Sequence, residues 1–258
     1  MIAKSAEYVN LRPKTKTTID QMAGKSIFEG GAARLVSRDC ALCGTRSFNS
    51  LCQPCTADLP QRRITGCRLC AAVSSSGEIC GHCLVDPPKF DETVVAFDYV
   101  FPLDRLLQAY KFREHLALVN LFADALETAV RRRGGELPTR VVPLPLSRAR
   151  LAERGFNQSA LLAERVANSL KLKYAPHGLL KVRDTPPQSG LNREARQKNV
   201  RGAFDCGGSL AGEHIALVDD VMTTGATLAE AAKAIKKAGA TRVSAWVVAR
   251  GPSMVATP

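Results

Sequence analysis

No stretch of this 258-residue chain approaches the roughly 20 apolar residues that a membrane-crossing helix needs. The longest apolar runs, such as Val243 to Ala249, have the length of strands, so no membrane insertion is expected. Met1 to Lys25 carries lysines but lacks an apolar core segment and a signal-type cleavage site, which makes a cytoplasmic protein the expectation. Low-complexity tracts are missing, and so is any internal repeat beyond a set of short cysteine pairs. Acidic residues are in deficit: 24 Asp and Glu face 36 Lys and Arg, a formal charge of +12 that points to anionic partners, either nucleic acid or a polyanionic small molecule. With 45% hydrophobic and 23% charged residues the composition is that of a globular protein, long enough for one sizeable domain plus a small one.

Eight of the nine cysteines form four Cys-x-x-Cys pairs: Cys40/Cys43, Cys52/Cys55, Cys67/Cys70 and Cys80/Cys83. In a secreted miniprotein they would read as a disulfide framework; in a chain of cytoplasmic character they read as metal ligands. Each pair can place two sulfurs about 2.3 Å from one Zn²⁺, and two pairs close a tetrahedral Cys₄ shell that leaves no position for water, a structural site. Sequential pairing makes one site of Cys40, Cys43, Cys52 and Cys55 and another of Cys67, Cys70, Cys80 and Cys83. A cross-braced scheme would pair alternate knuckles, but local closure costs less loop entropy. Redox chemistry is the alternative, with no thioredoxin-like pattern around the pairs to support it. Two loaded sites would lower the net charge by four, to about +8. His82, inside the last pair, is expected to be a neighbour, and the lone Cys206 a small hydrophobe. The segment has few large apolar side chains, so its folding should depend on metal. Asp86-Pro87-Pro88-Lys89 reads as the linker out of it. The expected organisation is an extension of no clear period over 1–38, a zinc-binding segment over 39–88 and a large domain over 89–258.

Residues 215–227 read Ile-Ala-Leu-Val-Asp-Asp-Val-Met-Thr-Thr-Gly-Ala-Thr. The first four suit a strand buried in a parallel sheet, with Asp219 and Asp220 at its exposed carboxyl end, where open α/β sheets bind ligands. A helix should follow through Leu228, Ala231, Ile235 and Ala238. Amides at its start, its dipole and the hydroxyls of Thr223, Thr224 and Thr227 make a phosphate cradle, and Gly225 lets the backbone close on the anion. Acids beside such a cradle repel phosphate unless they have another task, which ribose hydroxyls and Mg²⁺ supply. The stretch closely resembles the 5-phosphoribosyl-1-pyrophosphate (PRPP) motif of type I phosphoribosyltransferases, in which paired acids hold the 2′- and 3′-hydroxyls of the ribose and the loop holds the 5′-phosphate. The bland alternative, an acidic turn and a Thr N-cap, leaves the acids, threonines and glycine in register by chance.

Elsewhere Val94 to Val100 has a strand pattern, stopped by Pro102; Leu103 to Tyr110 and Leu116 to Val130 are helical by period. Arg131, Arg132 and Arg133 are expected as a solvated helix end. Lys111 and Arg113, around Phe112, lie in a turn that can face a cleft. The strand Thr139 to Val142 breaks into a loop with Pro143, Pro145, Arg148, Arg150 and Arg154, able to hold a pyrophosphate, although an ordinary βα loop has the same look. A helix from Ser159 to about Leu170 and a strand from Leu179 to Val182 come next. The basic segment 183–201, with Arg183, Arg193, Arg196, Lys198 and Arg201 against Asp184 and Glu194, is expected to be a lid, mobile when the cleft is empty. With the last strand, Arg242 to Val248, the alternation of strands and helices implies a mainly parallel sheet with right-handed crossovers.

Four motifs thus stand in order: the paired cysteines; Arg154-Gly155-Phe156-Asn157-Gln158; Thr185-Pro186-Pro187-Gln188 with the later Asn199-Val200-Arg201-Gly202-Ala203-Phe204; and the PRPP motif. Over about residues 39 to 250 the chain resembles the ComF family of bacterial phosphoribosyltransferase-like proteins, named for natural competence. Residues before Asp39 depart from that family's short apolar lead-in. The resemblance implies an α/β, type I phosphoribosyltransferase fold, a mainly parallel sheet flanked by helices, with a small N-terminal double zinc ribbon. It implies structural Zn²⁺, and PRPP bound with Mg²⁺. Asp219 and Asp220 would be catalytic. Val218, Met222, Thr223, Thr224, Gly225, Ala226 and Thr227 would bind PRPP together with the acids, aided by Pro145, Arg148, Arg154 and Arg196. A link to uptake of transforming DNA is implied, with single-stranded DNA and a helicase-like competence protein as partners. The competing reading is a catalytically silent competence factor that binds single-stranded DNA and uses the fold as a scaffold. The phosphoribosyl acceptor has no visible signature.

Overall fold

A computed structural model describes residues 37–62, 66–73, 78–111, 116–186 and 193–251. The expected extension up to residue 36 lies outside the described residues, as do Phe112, Arg113 and residues 187–192 of the expected lid.

The cysteine-rich part holds the antiparallel pair β1 (Arg38–Asp39) and β2 (Arg46–Ser47) and two short helices, α1 (Gln53–Ala57) and α2 (Gly81–Val85), which begin directly after Cys52 and Cys80. The remainder runs β3 (Glu92–Asp98), α3 (Leu103–Lys111), α4 (Leu118–Arg133), β4 (Arg140–Pro143), α5 (Arg148–Arg154), α6 (Gln158–Leu170), β5 (Lys173–Tyr174), β6 (Leu180–Lys181), α7 (Arg193–Val200), β7 (Phe204–Asp205), β8 (His214–Met222), α8 (Ala226–Lys237) and β9 (Arg242–Arg250).

Five strands form one sheet in the order β3-β9-β8-β4-β5, with every pairing parallel. Both faces are covered, which is why the central strands read as nearly continuous apolar runs. In β8 the side chains alternate: Ala216 and Val218 pack into one core with Leu126, Leu162 and Val166 from α4 and α6, while Ile215 and Leu217 pack into the other with Leu228, Ala231 and Ile235 from α8. Trp246 and Val247 of β9 divide between the two cores in the same way.

The cysteine-rich part contributes to both cores: Cys40, Leu51 and Leu59 to the first, Ala71 with the adjoining Phe90 to the second. Its backbone also bonds the free edge of β3, through Arg62 N–H to the Ala96 carbonyl at 2.9 Å, Asp98 N–H to the Pro60 carbonyl at 3.0 Å and Thr93 N–H to the Arg68 carbonyl at 3.0 Å. Few apolar side chains therefore suffice locally, because the neighbouring sheet supplies part of the burial.

Several elements depart from expectation. Strand β8 continues to Met222 and β9 to Arg250, each sustaining the other through the pairs Val221↔Ala249 and Met222↔Arg250. The expected strand near Leu179 is the two-residue β6, antiparallel to β7 and outside the main sheet. A helix, α5, occupies the arginine-bearing stretch that reads as loop, and the described part of the expected lid contains α7, which packs against α8. Arg131 to Arg133 are exposed but engaged: Arg131 pairs with Glu127, Arg132 donates to the Arg62 carbonyl at 3.3 Å, and Arg133 lies 3.7 Å from Glu92. Among the described residues no helix is long and apolar enough to cross a membrane.

Candidate functional site

A cavity of about 330 Å³ opens at the carboxyl ends of β4 and β8. Asp219 and Asp220 line it, yet they lie inside β8 and not at an exposed strand end as expected: Asp220 is buried and Asp219 half-buried. Asp219 Oδ1 accepts from the Ser159 hydroxyl of α6 at 2.9 Å and from the Asp220 backbone N–H at 2.9 Å. Asp220 Oδ2 lies 3.0 Å from the Lys111 ammonium at the end of α3. Burial, and after it the adjacent Asp220 carboxylate, pushes the Asp219 carboxyl up to about 7, against the hydrogen bonds and the Lys111 charge that favour its ionised form. Burial pulls the Lys111 ammonium down, but the Asp220 carboxylate outweighs this and leaves it raised.

The loop after β8 turns at Gly225, whose φ of +79° is the left-handed conformation that a side chain strains, and this residue caps α8. Thr223 and Thr227 face the cavity with the acids. Thr224, Gly225 and Ala226 instead line a second cavity, of about 390 Å³, behind the loop, and Thr224 Oγ1 accepts from the Ala226 N–H at 3.4 Å. Val218 and Met222 are buried in the two cores beneath the loop. The three-hydroxyl cradle expected from sequence is therefore two hydroxyls in the cavity, with Thr224 shaping the turn.

Five cations line the same cavity: Lys111, Arg150, Arg154, Lys181 and Arg196. Arg196 reaches from α7 and donates to Thr223 Oγ1 at 2.8 Å. Helix α5 is bracketed by Ser147, whose hydroxyl accepts from the Arg150 N–H, and by Gly155 in the left-handed conformation. Arg150 and Arg154, four residues apart, share the face that lines the cavity; Arg148, two residues before Arg150, is exposed on the other side and outside the lining. Pro145 lines the cavity as expected. Sequence reasoning missed Lys181 and Ser159, which no local motif marks, and it missed the cap signals at Ser147 and Gly155 that delimit α5.

The paired cysteines form two clusters, Cys40, Cys43, Cys52, Cys55 and Cys67, Cys70, Cys80, Cys83, with all ligand atoms in each within 4.8 Å of one another. The Cys43–Cys52 and Cys70–Cys80 sulfurs are 3.6 Å apart, close to the roughly 3.8 Å edge of a tetrahedron with 2.3 Å bonds to its centre. Backbone N–H groups of Cys43, Cys52 and Leu42 overcome burial and lower the Cys40 thiol to about 6. Burial and the neighbouring Cys70 instead raise Cys83. Sulfurs this close cannot all ionise without a cation among them, so both sets fit a tetrahedral metal. The grouping is sequential, not cross-braced, and half-buried His82 is outside it. Cys206 packs against the second core, as a small hydrophobe would.

This arrangement has counterparts in known proteins. Residues 157–257 match the phosphoribosyl transferase domain. The DNA utilization protein YhgH of Salmonella typhimurium is 34% identical over 205 residues, covering 78% of this chain and 90% of its own. Competence protein F of Haemophilus influenzae is 32% identical over 213 residues, covering 78% and 91%. The chain belongs to the ComF family. The competence protein ComFC of Bacillus subtilis, 28% identical over 214 residues with 78% and 84% covered, extends the likeness to a more distant relative. The fold is that of a type I phosphoribosyltransferase with two N-terminal Cys₄ clusters.

Proposed function

We propose that this ComF-family chain binds PRPP at the β8 acids and acts in natural competence, in the handling of incoming DNA. One observation carries the reading: a carboxylate pair, two threonine hydroxyls and five cations converge on one cavity of about 330 Å³. Phosphates call for the cations and hydroxyls, and ribose hydroxyls for acceptors; PRPP presents both needs in one molecule.

Asp219 and Asp220 accept hydrogen bonds from the ribose hydroxyls and stabilise positive charge as it develops at the anomeric carbon. Thr223 and Thr227, with the first-turn amides of α8, hold the 5′-phosphate. Arg150, Arg154, Lys181 and Arg196 grip the pyrophosphate and displace water from around it. Lys111, ion-paired with Asp220, holds that seat until the ribose arrives. Mg²⁺, chelated by the pyrophosphate and ribose oxygens of a PRPP that these residues hold, would lower the charge of the leaving group. Zn²⁺ is the metal proposed for both Cys₄ clusters, in a structural role, and single-stranded DNA and a helicase-like competence protein are the proposed partners.

Calorimetry with Mg-PRPP tests the reading, alongside labelled single-stranded DNA with and without Mg-PRPP. Saturable heat from PRPP is expected. No heat at millimolar Mg-PRPP, with DNA binding that ignores it, would leave the cavity a relic and the fold a scaffold.

A further inference from the structure

Arg250 ends β9, and its guanidinium joins two parts of the molecule that the proposed function treats separately. Its Nε donates to the carbonyl of Cys70, a member of the second cysteine cluster, at 2.9 Å. The two hydrogens of its Nη1 are shared among the carbonyls of Met222 at 3.2 Å, of Thr223, and of Gly251 at 2.7 Å, and the Met222 carbonyl also accepts from the Gly251 backbone N–H at 2.9 Å. The residue is 6% exposed, so its guanidinium is held by protein groups, these carbonyls among them, and not by bulk water.

The position matters because the β8–β9 ladder stops at the pair Met222↔Arg250. Beyond that rung the guanidinium takes over, holding the carbonyl of Thr223 where no strand pairing continues. A trans peptide points its N–H opposite to its carbonyl. The Met222 carbonyl is also held by the Gly251 N–H, but fixing the Thr223 carbonyl toward Arg250 turns the N–H of Thr224 away from the cation, and so fixes the plane of the Thr223–Thr224 peptide of the phosphate loop. On the cysteine side, Ala71 sits at φ 54°, an uncommon conformation for a side-chain-bearing residue, and the buried Arg62 donates to its carbonyl. The turn that presents the Cys70 carbonyl is thus held from two sides by arginines and, through its sulfurs, by the cluster. Phe90 completes the contact, its ring packed at Gly225.

We propose that Arg250 is a positioning residue for the phosphate loop, and that through it the loop's geometry depends on the second Cys₄ cluster and not on the first. The proposal rests on the PRPP reading for its functional meaning but not for its structural content. With the cluster loaded, the Cys67–Cys70 turn is rigid and Arg250 is anchored at one end. With the cluster opened, that anchor is lost and the peptide between Thr223 and Thr224 gains freedom, while the Met222 carbonyl keeps its Gly251 N–H.

The test uses the full-length protein purified with its metal. Arg250→Met and Arg250→Lys are compared with wild type for metal content, for amide exchange over residues 222–226 and for Mg-PRPP binding. Cys80→Ser in the second cluster is compared with Cys43→Ser in the first. Expected are unchanged metal content in Arg250→Met, about tenfold faster exchange at Thr224 and about tenfold weaker Mg-PRPP binding, with partial recovery in Arg250→Lys. Cys80→Ser should speed the same amide, and Cys43→Ser should leave it near wild type. Unchanged exchange in Arg250→Met, or equal acceleration by the two cysteine variants, overturns the inference. If Arg250→Met does not fold, Arg250→Lys and the cysteine pair decide it. If wild type binds no PRPP while exchange responds as described, the PRPP reading fails and the positioning role stands.

Discussion

Replacing Asp219 by Asn should stabilise the protein above neutral pH while weakening its affinity for PRPP. Burial and the neighbouring Asp220 raise the folded-state carboxyl from an ordinary 3.8 to about 7. The native state therefore holds a proton more tightly than the unfolded chain does, and its stability falls as pH rises from about 4 to about 7. At about 1.4 kcal/mol for each tenfold change in proton affinity, the shift corresponds to at most about 4 kcal/mol lost by pH 8. Part of the shift is shared with Asp220, and the side chain is half-buried and lines an open cavity, so about 1–2 kcal/mol is the gain expected from removing the charge. Asn keeps the local structure, since both the Ser159 hydroxyl and the Asp220 N–H donate to Oδ1, which the amide retains. For a chain of this size the gain is about 2–8 °C in melting temperature at pH 8. At pH 5, where the folded carboxyl is protonated but the unfolded one is already ionised, only about a third of that gain should remain. Thermal melts at both pH values decide it: an Asn variant that melts lower at pH 8, or a difference independent of pH, would mean that Asp219 is not a strained acid. The same variant should bind Mg-PRPP at least tenfold more weakly, because hydrogen bonds to a charged acceptor are worth about 1.5–3 kcal/mol.

The remaining expectations follow from the same geometry. Metal analysis of protein prepared without chelator should find about two Zn²⁺ per chain, and stripping the metal should unfold the cysteine-rich part by circular dichroism; one metal with four titratable thiols would leave a single site. Mg-PRPP affinity should rise steeply with pH up to about 7 and level off above it, as Asp219 gives up its proton; a flat profile between pH 6 and 8 would remove Asp219 from the ribose seat. Arg196→Ala removes a donor 2.8 Å from Thr223 Oγ1, and should weaken Mg-PRPP binding about tenfold and reduce the slowing of amide exchange in α7 on binding; equal protection in both proteins would make α7 an ordinary surface helix.

The parts legible in the sequence are those whose chemistry is local. Two cysteines three apart converge on one ion whatever surrounds them, and both clusters form from sequential pairs. An apolar run buried on both faces reads as a central parallel strand, and β8 is one. The turn at Gly225 needs a positive φ, which its glycine announces. Helix α5 was readable in principle from Ser147 and Gly155, but arginines in a row read more easily as a loop. Helix α7 was not: its residues are mostly polar and its apolar anchor is Val200, so contact with α8 and not internal periodicity holds it.

What the sequence could not show is where distant elements meet. The acids at 219 and 220 read as a strand end because the apolar run stops at Val218. The strand continues because β9, some 28 residues on, continues beside it, and the pairing buries the acids. Ser159 arrives from 60 residues away, and Lys111 from 109, through the folding of α6 and α3 onto the same end of the sheet. Burial by these neighbours is what converts two ordinary carboxylates into one that resists ionisation and one that carries a lysine partner. The motif determines that acids stand beside a phosphate loop, and the fold determines their protonation. The charge state that phosphoribosyl chemistry needs is therefore a property of long-range packing, and Asn at 219, which changes the charge and leaves the packing, separates the two.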